Sequence, residues 1–127
     1  MQGSHLYEYA VIRVVPRVER EEFINVGVVL CCKKQNYLKC MLLLEDTRLL
    51  ALDPEADTAL IREYLQSFDA ICNGDTTGSP IARQDPASRF RWLTANRSSM
   101  LQTSRPHIGF TTDLEDTLIK LFRQFVA

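Results

Sequence analysis

Apolar positions fall into two periodicities along this chain. Leu6–Val15 alternates, with Tyr7, Tyr9, Val11 and Val15 on one side and Ala10, Ile12 and Val14 on the other. Both sides are mostly apolar, so the pattern predicts a central strand covered on both faces. Arg13 interrupts the first side, which calls for a place near an edge or an acidic partner. Pro16 cannot donate to a ladder and ends the strand. A charged connection, Arg17–Glu22, leads to a second strand over Phe23–Cys32. Gly27 inside it marks a bulge or the close approach of another backbone. A polar turn, Lys33–Asn36, then joins a third strand over Tyr37–Leu44, giving an antiparallel meander.

Helical spacing takes over afterwards. Asp53-Pro54 reads as an N-cap followed by proline at the first helical position. Leu60, Ile61, Tyr64, Leu65, Phe68, Ile71 and Cys72 then recur on one face, so a helix is expected over 54–72. Asn73-Gly74 stops it, and the turn-rich Asn73–Pro80 follows. Asp85-Pro86 repeats the cap signal ahead of a short helix, Ala87–Leu93. Extended pieces are expected at Met100–Ser104 and His107–Phe110, on either side of Pro106. Thr112-Asp-Leu-Glu115 is a capping box that opens a last helix over 113–126. The fold class expected is α+β: an antiparallel sheet with a three-stranded N-terminal meander and two main helices packed on it. The whole of 1–127 is read as one domain.

Composition changes this picture little, and charge changes it more. The chain of 127 residues is 46% apolar and 24% charged, with net charge −1. Residues 76–112, however, hold five Arg (Arg83, Arg89, Arg91, Arg97 and Arg105) against Asp85 alone, and the remainder is net acidic. Arg is suited to bidentate contact with phosphate or carboxylate. The segment therefore suggests an anion- or partner-binding surface built from Arg91, Arg97, Ser98, Gln102, Ser104, Arg105 and His107. Internal pairing of these Arg with Glu19, Glu21, Glu22 or Asp113 weighs about evenly against it. Arg89 and Arg91 lie two apart and cannot share one helix face.

Trp92 could stack on a base, but as the sole Trp it reads in the first place as a core anchor. Ser98, Ser99, Ser104 and His107 lack a nucleophile elbow and an assigned orienting acid, so no catalytic set is assigned. Glu19, Glu21 and Glu22 are offset by Arg17 and Arg20 and read as a solvated loop, not a metal site. Asn25, in an apolar strand, needs partners if it faces inward, and would fix the Arg17–Glu22 loop or the backbone at Gly27. Cys31, Cys32, Cys40 and Cys72 have no zinc spacing and read as reduced core thiols, with Cys40 placed opposite Cys31 if the hairpin register allows. No cofactor or metal is expected. The N-terminus lacks the layout of a signal peptide and no apolar run would span a bilayer, so the expected location is cytoplasmic, without membrane contact.

Tyr9-Ala-Val-Ile-Arg-Val-Val-Pro16 and Arg20-Glu-Glu-Phe-Ile-Asn-Val-Gly-Val-Val-Leu30 form one block. Arg89-Phe-Arg-Trp-Leu-Thr-Ala95, Arg97-Ser98, Gln102, Ser104, His107, Gly109, Thr111 and Asp113 form another. Together with Ala51-Leu-Asp-Pro54 and Asn73-Gly-Asp75 they resemble the bacterial family called domain of unknown function 3037, over a core of about 6–126. Glu22, Asn25, Gly27 and Trp92 belong to the motif that carries this resemblance. Asn96 departs from it, standing where many relatives have Pro. The resemblance implies small cytoplasmic proteins without an established activity. Their genes often lie beside one for a kinase-like protein related to high-persistence toxin kinases.

Three functions follow as expectations. The first is a non-enzymatic binding or regulatory module with an Arg-rich anion-binding surface, for which that kinase-like protein or a phosphorylated ligand is the candidate partner. The second is nucleic-acid binding, against which the net charge argues. The third is a small enzyme on a phosphorylated substrate, with His107 as acid–base and Arg97 and Arg105 as clamps. An exposed edge of the meander would allow a homodimer by strand pairing.

Overall fold

The structure, a computed structural model, describes residues 3–97 and 99–127. Strand β1 (His5–Val14) is its axis. β2 (Ile24–Cys32) pairs antiparallel along one edge of β1, and β3 (Tyr37–Leu42) pairs antiparallel outside β2, completing the meander. The other edge of β1 is shared by two short antiparallel strands. β4 (Leu101–Thr103) takes Ile12–Val14, and β5 (His107–Thr111) takes His5–Tyr9.

From Ala10 onward both faces of β1 are covered, as the two-sided apolar pattern requires, while Leu6 and Glu8 near its start stay exposed. Ala10, Ile12 and Val14 enter the larger core with Leu49 of α1 (Asp46–Leu52), Ile61, Leu65, Phe68 and Ile71 of α2 (Thr58–Cys72), and Phe90 and Leu93 of α3 (Pro86–Leu93). On the opposite face Val28 and Leu30 meet Leu118 and Leu121 of α4 (Leu114–Phe125), flanked by Tyr7, Tyr9 and Tyr37. The result is a helix–sheet–helix stack with two separate cores.

Sequence and structure differ around 45–57. Asp53 does not cap a helix start. It follows α1 as its C-cap residue, accepts from the Glu55 N–H at 3.1 Å and faces Arg17 at 3.5 Å. The cap of α2 is Asp57, which accepts from the Leu60 N–H at 3.0 Å, so the helix begins at Thr58 and not at 54. The competing acid four residues on, placed ahead of the same apolar stripe, makes the better cap. Arg13 finds no acidic partner among the described residues. Its guanidinium lies 4.2 Å from the centre of the Phe23 ring.

Gly27 meets both conditions expected of it. The β1–β2 register slips at Ile12/Arg13, and a Cβ at Gly27 would stand 2.5 Å from the Met41 carbonyl oxygen. Cys40 pairs with Val29, so it is not opposite Cys31. Its thiol instead donates to Asp69 Oδ1 at 3.4 Å.

Between β4 and β5 the strand is broken by Arg105-Pro106. At the break the Ser104 N–H donates to the Val11 carbonyl at 2.8 Å, and the Val11 N–H donates to Ser104 Oγ at 2.9 Å. The hydroxyl supplies the acceptor that a main-chain carbonyl would otherwise provide, and itself donates to the Arg105 carbonyl at 3.0 Å. A buried N–H left unpaired costs about 1–3 kcal/mol. Ser104→Ala should therefore lower stability by about that much in urea titrations; a loss within error of zero would show that the bulged backbone re-pairs by itself.

The thiols follow burial. Cys31 is pushed up from 9.0 to about 12, first by burial and then by the Glu8 carboxylate and the neighbouring thiols of Cys32 and Cys72. Cys40 moves further in the same direction through the neighbouring Cys72 thiol, its burial and the Asp69 carboxylate. The folded chain thus keeps protons that the unfolded chain releases. Stability from this source is intact below pH 9.0 and falls as pH rises towards 12. Its slope is at most about 1.4 kcal/mol per pH unit for each thiol. Cys31→Ala should flatten this alkaline slope, and an unchanged slope would assign it to other groups.

Candidate functional site

The Arg segment does not close on itself as one site. α3 begins at Pro86 because Asp85 caps it, accepting from the Ser88 N–H at 3.0 Å, and it buries Ala87, Arg89, Phe90 and Leu93. Arg89 therefore points inward. Its Nη1 donates to the carbonyls of Ile71 (2.9 Å) and Cys72 (3.0 Å) at the C-terminus of α2, where Ile71 also accepts from the Gly74 N–H. A cation there also suits the negative end of that helix. Gly74, at φ +74°, carries the chain past this guanidinium. Arg91 projects the other way and donates to Ser88 Oγ at 3.2 Å. The Asp85 carboxyl is held below its usual range by the hydroxyl and N–H of Ser88, with Arg91 adding to the effect.

Trp92 corrects the sequence reading. It is not a core anchor: it lies beside the buried stripe of α3 and is 41% exposed. The Arg97 guanidinium stacks over its ring at 4.5 Å and donates to its carbonyl oxygen. The ring forms one wall of a groove of about 510 Å³. α2 supplies Tyr64, Phe68 and Ile71 as the floor, and Met100 and Leu101 close the side along β4. Around the open edge of β4 this groove meets a second depression of about 450 Å³, lined by Arg13, Val18, Glu21, Phe23, Asn96, Arg97 and Gln102. Val18, Arg97 and Gln102 line both halves.

One half is thus apolar and aromatic, while the other carries two guanidiniums against one carboxylate. Neither Arg13 nor Arg97 has a carboxylate within 4.0 Å among the described residues, and Arg13 Nε is buried without a partner. The alternative, internal pairing of the segment's Arg with Glu19, Glu21, Glu22 or Asp113, has no ion pair to support it among the described residues. Glu22 is held instead by Arg20 Nε at 2.6 Å. Glu21, beside the depression, has φ 60°, a left-handed conformation uncommon for a side chain of its size.

The remaining predicted residues lie elsewhere. Gln102 is at the cleft, but its Nε2 donates to the Ser99 carbonyl at 2.7 Å and shapes the turn into β4. Ser104 is buried in the sheet with its hydroxyl engaged on both sides. His107 pairs with Tyr9, four residues along β1 from Arg13, or about 13 Å at strand rise. Its ring lies 5.3 Å from that of Tyr9, which in turn packs on Phe125. Arg105 is exposed at the strand break. Ser98 lies outside the described residues. Asn25 ties neither the 17–22 loop nor Gly27. Its Nδ2 donates to the Phe125 carbonyl at 3.2 Å, fastening the end of α4 to β2.

Arg13 is the functional candidate that the charge count missed, because it lies far from the Arg-rich window. Its signal was a lone cation in an apolar strand. No cluster of three or more His, Cys, Asp or Glu side chains suited to a metal ion occurs among the described residues. No helix among them is long and apolar enough to cross a membrane.

A three-layer α+β domain with an amphipathic cleft at a sheet edge is the class these features define. Its family is that described as protein of unknown function (DUF3037), to which the chain belongs: the family model matches residues 9–126. No curated protein and no solved structure matches the chain.

Arg89 and Arg91 separate the structural from the exposed role of this segment. Arg89→Met should cost about 1.5–3 kcal/mol in equilibrium unfolding, the range for charged hydrogen bonds. Arg91→Met should stay within about 0.5 kcal/mol. Equal effects would refute the division.

Proposed function

We propose that this protein is a non-enzymatic binding module whose cleft takes a ligand with an anionic group on an apolar or aromatic body. The observation that carries this reading is the pair Arg13 and Arg97. Both line the polar depression without a carboxylate partner among the described residues, directly beside the Trp92 groove. Arg13 is half-buried, where a cation is normally paired, and the exposed Arg97, held by stacking, presents its remaining N–H groups already oriented. The two depressions also lie in the size range of small-ligand pockets.

Phosphate is the favoured anion, and a phosphorylated partner the favoured source. The kinase-like protein encoded beside genes of this family is therefore the first partner to test. The enzymatic alternative would need His107 and Arg97 at one reacting centre. The spacing along β1 and the packing of His107 on Tyr9 speak for a binding reading.

Trp92, the sole Trp, reports on the cleft. Phenyl phosphate should change its fluorescence saturably. Arg13→Met and Arg97→Met should each weaken the fitted affinity by about 10-fold or more, the range for losing a charge-assisted hydrogen bond. Arg105→Met should leave the affinity unchanged. Co-expressed with the kinase-like protein, the wild type should elute with it and the double Arg13→Met/Arg97→Met variant apart from it. Affinities that ignore Arg13 and Arg97 would overturn the assignment, and a steep salt-dependent response to oligonucleotide alone would favour nucleic acid.

A further inference from the structure

The open edge of β5 carries a second, independent feature. Hydrogen bonds from the Ser104 N–H to the Val11 carbonyl and from the Val15 N–H to the Met100 carbonyl show that the odd residues of β1 turn their backbone towards β4 and β5. Their partners in β5, His107 and Gly109, return those bonds. Ile108 and Phe110 therefore point their N–H and C=O groups outward, where no strand pairs among the described residues. The same two side chains are the most exposed large apolar groups among the described residues, at 70% and 71%, and Leu6, paired with Phe110, adjoins them at 50%. Exposed apolar side chains over an unpaired edge are what folded proteins ordinarily avoid.

We propose that this edge joins a second copy of the chain, β5 against β5, antiparallel about a two-fold axis at Gly109. The strand is self-complementary in that register. Ile108 falls opposite Phe110 of the other copy, and both present free backbone groups, so each pair closes two hydrogen bonds. Arg105 at one end falls opposite Asp113 at the other, an attraction made twice. The free edge of β3 is a poorer candidate: Lys39 lies in its middle and is tied to Glu115 of α4. Even if all the exposed area of Leu6, Ile108 and Phe110 were covered, it would come to no more than roughly 400 Å² per copy, taking the ~150–250 Å² of an aromatic side chain as an upper bound for each. That is below the ~800 Å² per partner of a standard interface, so the dimer is a weak, reversible one.

Sedimentation velocity of the full chain, from low micromolar to near-millimolar concentration, tests this. The wild type should pass from monomer to dimer, and Ile108→Lys or Phe110→Lys should abolish the shift while circular dichroism stays unchanged. The double variant Ile108→Glu/Phe110→Lys should dimerise again, since the register then sets Glu against Lys in both pairs. A slip by two residues would set Lys against Lys or Glu against Glu. A wild type monomeric throughout, a dimer indifferent to the single Lys variants, or a double variant that stays monomeric overturns the proposal. The Arg13 and Arg97 variants, which bear on the cleft alone, should dimerise as the wild type does.

Discussion

Val11 sits at the middle of β1, and its main chain is held on the outer side by one residue, Ser104. That contact lets a single returning segment serve as two strands. Without a side-chain acceptor at this point, the Arg105-Pro106 break would leave a buried N–H exposed to no partner, a cost the sheet would have to absorb. With it, the segment changes register and continues. β4 stays short and leaves its outer edge open beside α2, which makes the apolar groove. β5 continues past the helices and leaves Ile108 and Phe110 uncovered. The cleft and the open edge are two consequences of one interrupted strand.

The same economy governs the arginines. A guanidinium can satisfy carbonyls, stack on a ring or hold an anion, and the surroundings decide among these. Arg89 lies in the buried stripe of α3 and meets the carbonyl ends of α2. Arg97 lies beyond the helix and meets the face of Trp92. Arg13 crosses from the sheet to the ring of Phe23 with one nitrogen buried and unpaired. The ring contacts fix where two of these charges stand without neutralising them, which is why they remain suited to an external anion.

Much of the fold could be read from alternation and capping. The meander, the short helix after Asp85 and the last helix after Asp113 stand where the pattern puts them, because each signal there is local and uncontested. Asp53 misleads because two aspartates, Asp53 and Asp57, precede the same apolar stripe; in the fold Asp53 turns to Arg17 and Asp57 takes the cap. The site was less legible. Charge counting found Arg97 but grouped it with Ser104 and His107, which share its sequence window and not its cleft. Arg13 was visible only as an interruption. Pairing it with Arg97 needs the register of β4 on β1, in which Gln102 falls opposite Arg13. Trp92 was misjudged because burial statistics describe the residue type, whereas one step around α3 decides this side chain.

A binding reading also accounts for features that fold stability does not require. An exposed Trp over an apolar groove costs solvation, the Arg13 Nε buried without a partner adds a further cost, and Glu21 adds a left-handed backbone beside both. These unfavourable features converge on one end of β1. The unpartnered Asn25 Oδ1 and Arg89 Nε belong to side chains already fastened elsewhere by hydrogen bonds. A ligand bearing an anion and an apolar body would relieve both costs at once, covering the Trp92 groove with its body and offering Arg13 and Arg97 its anion. The shape of the cleft therefore argues for such a ligand more strongly than the number of arginines in the segment does.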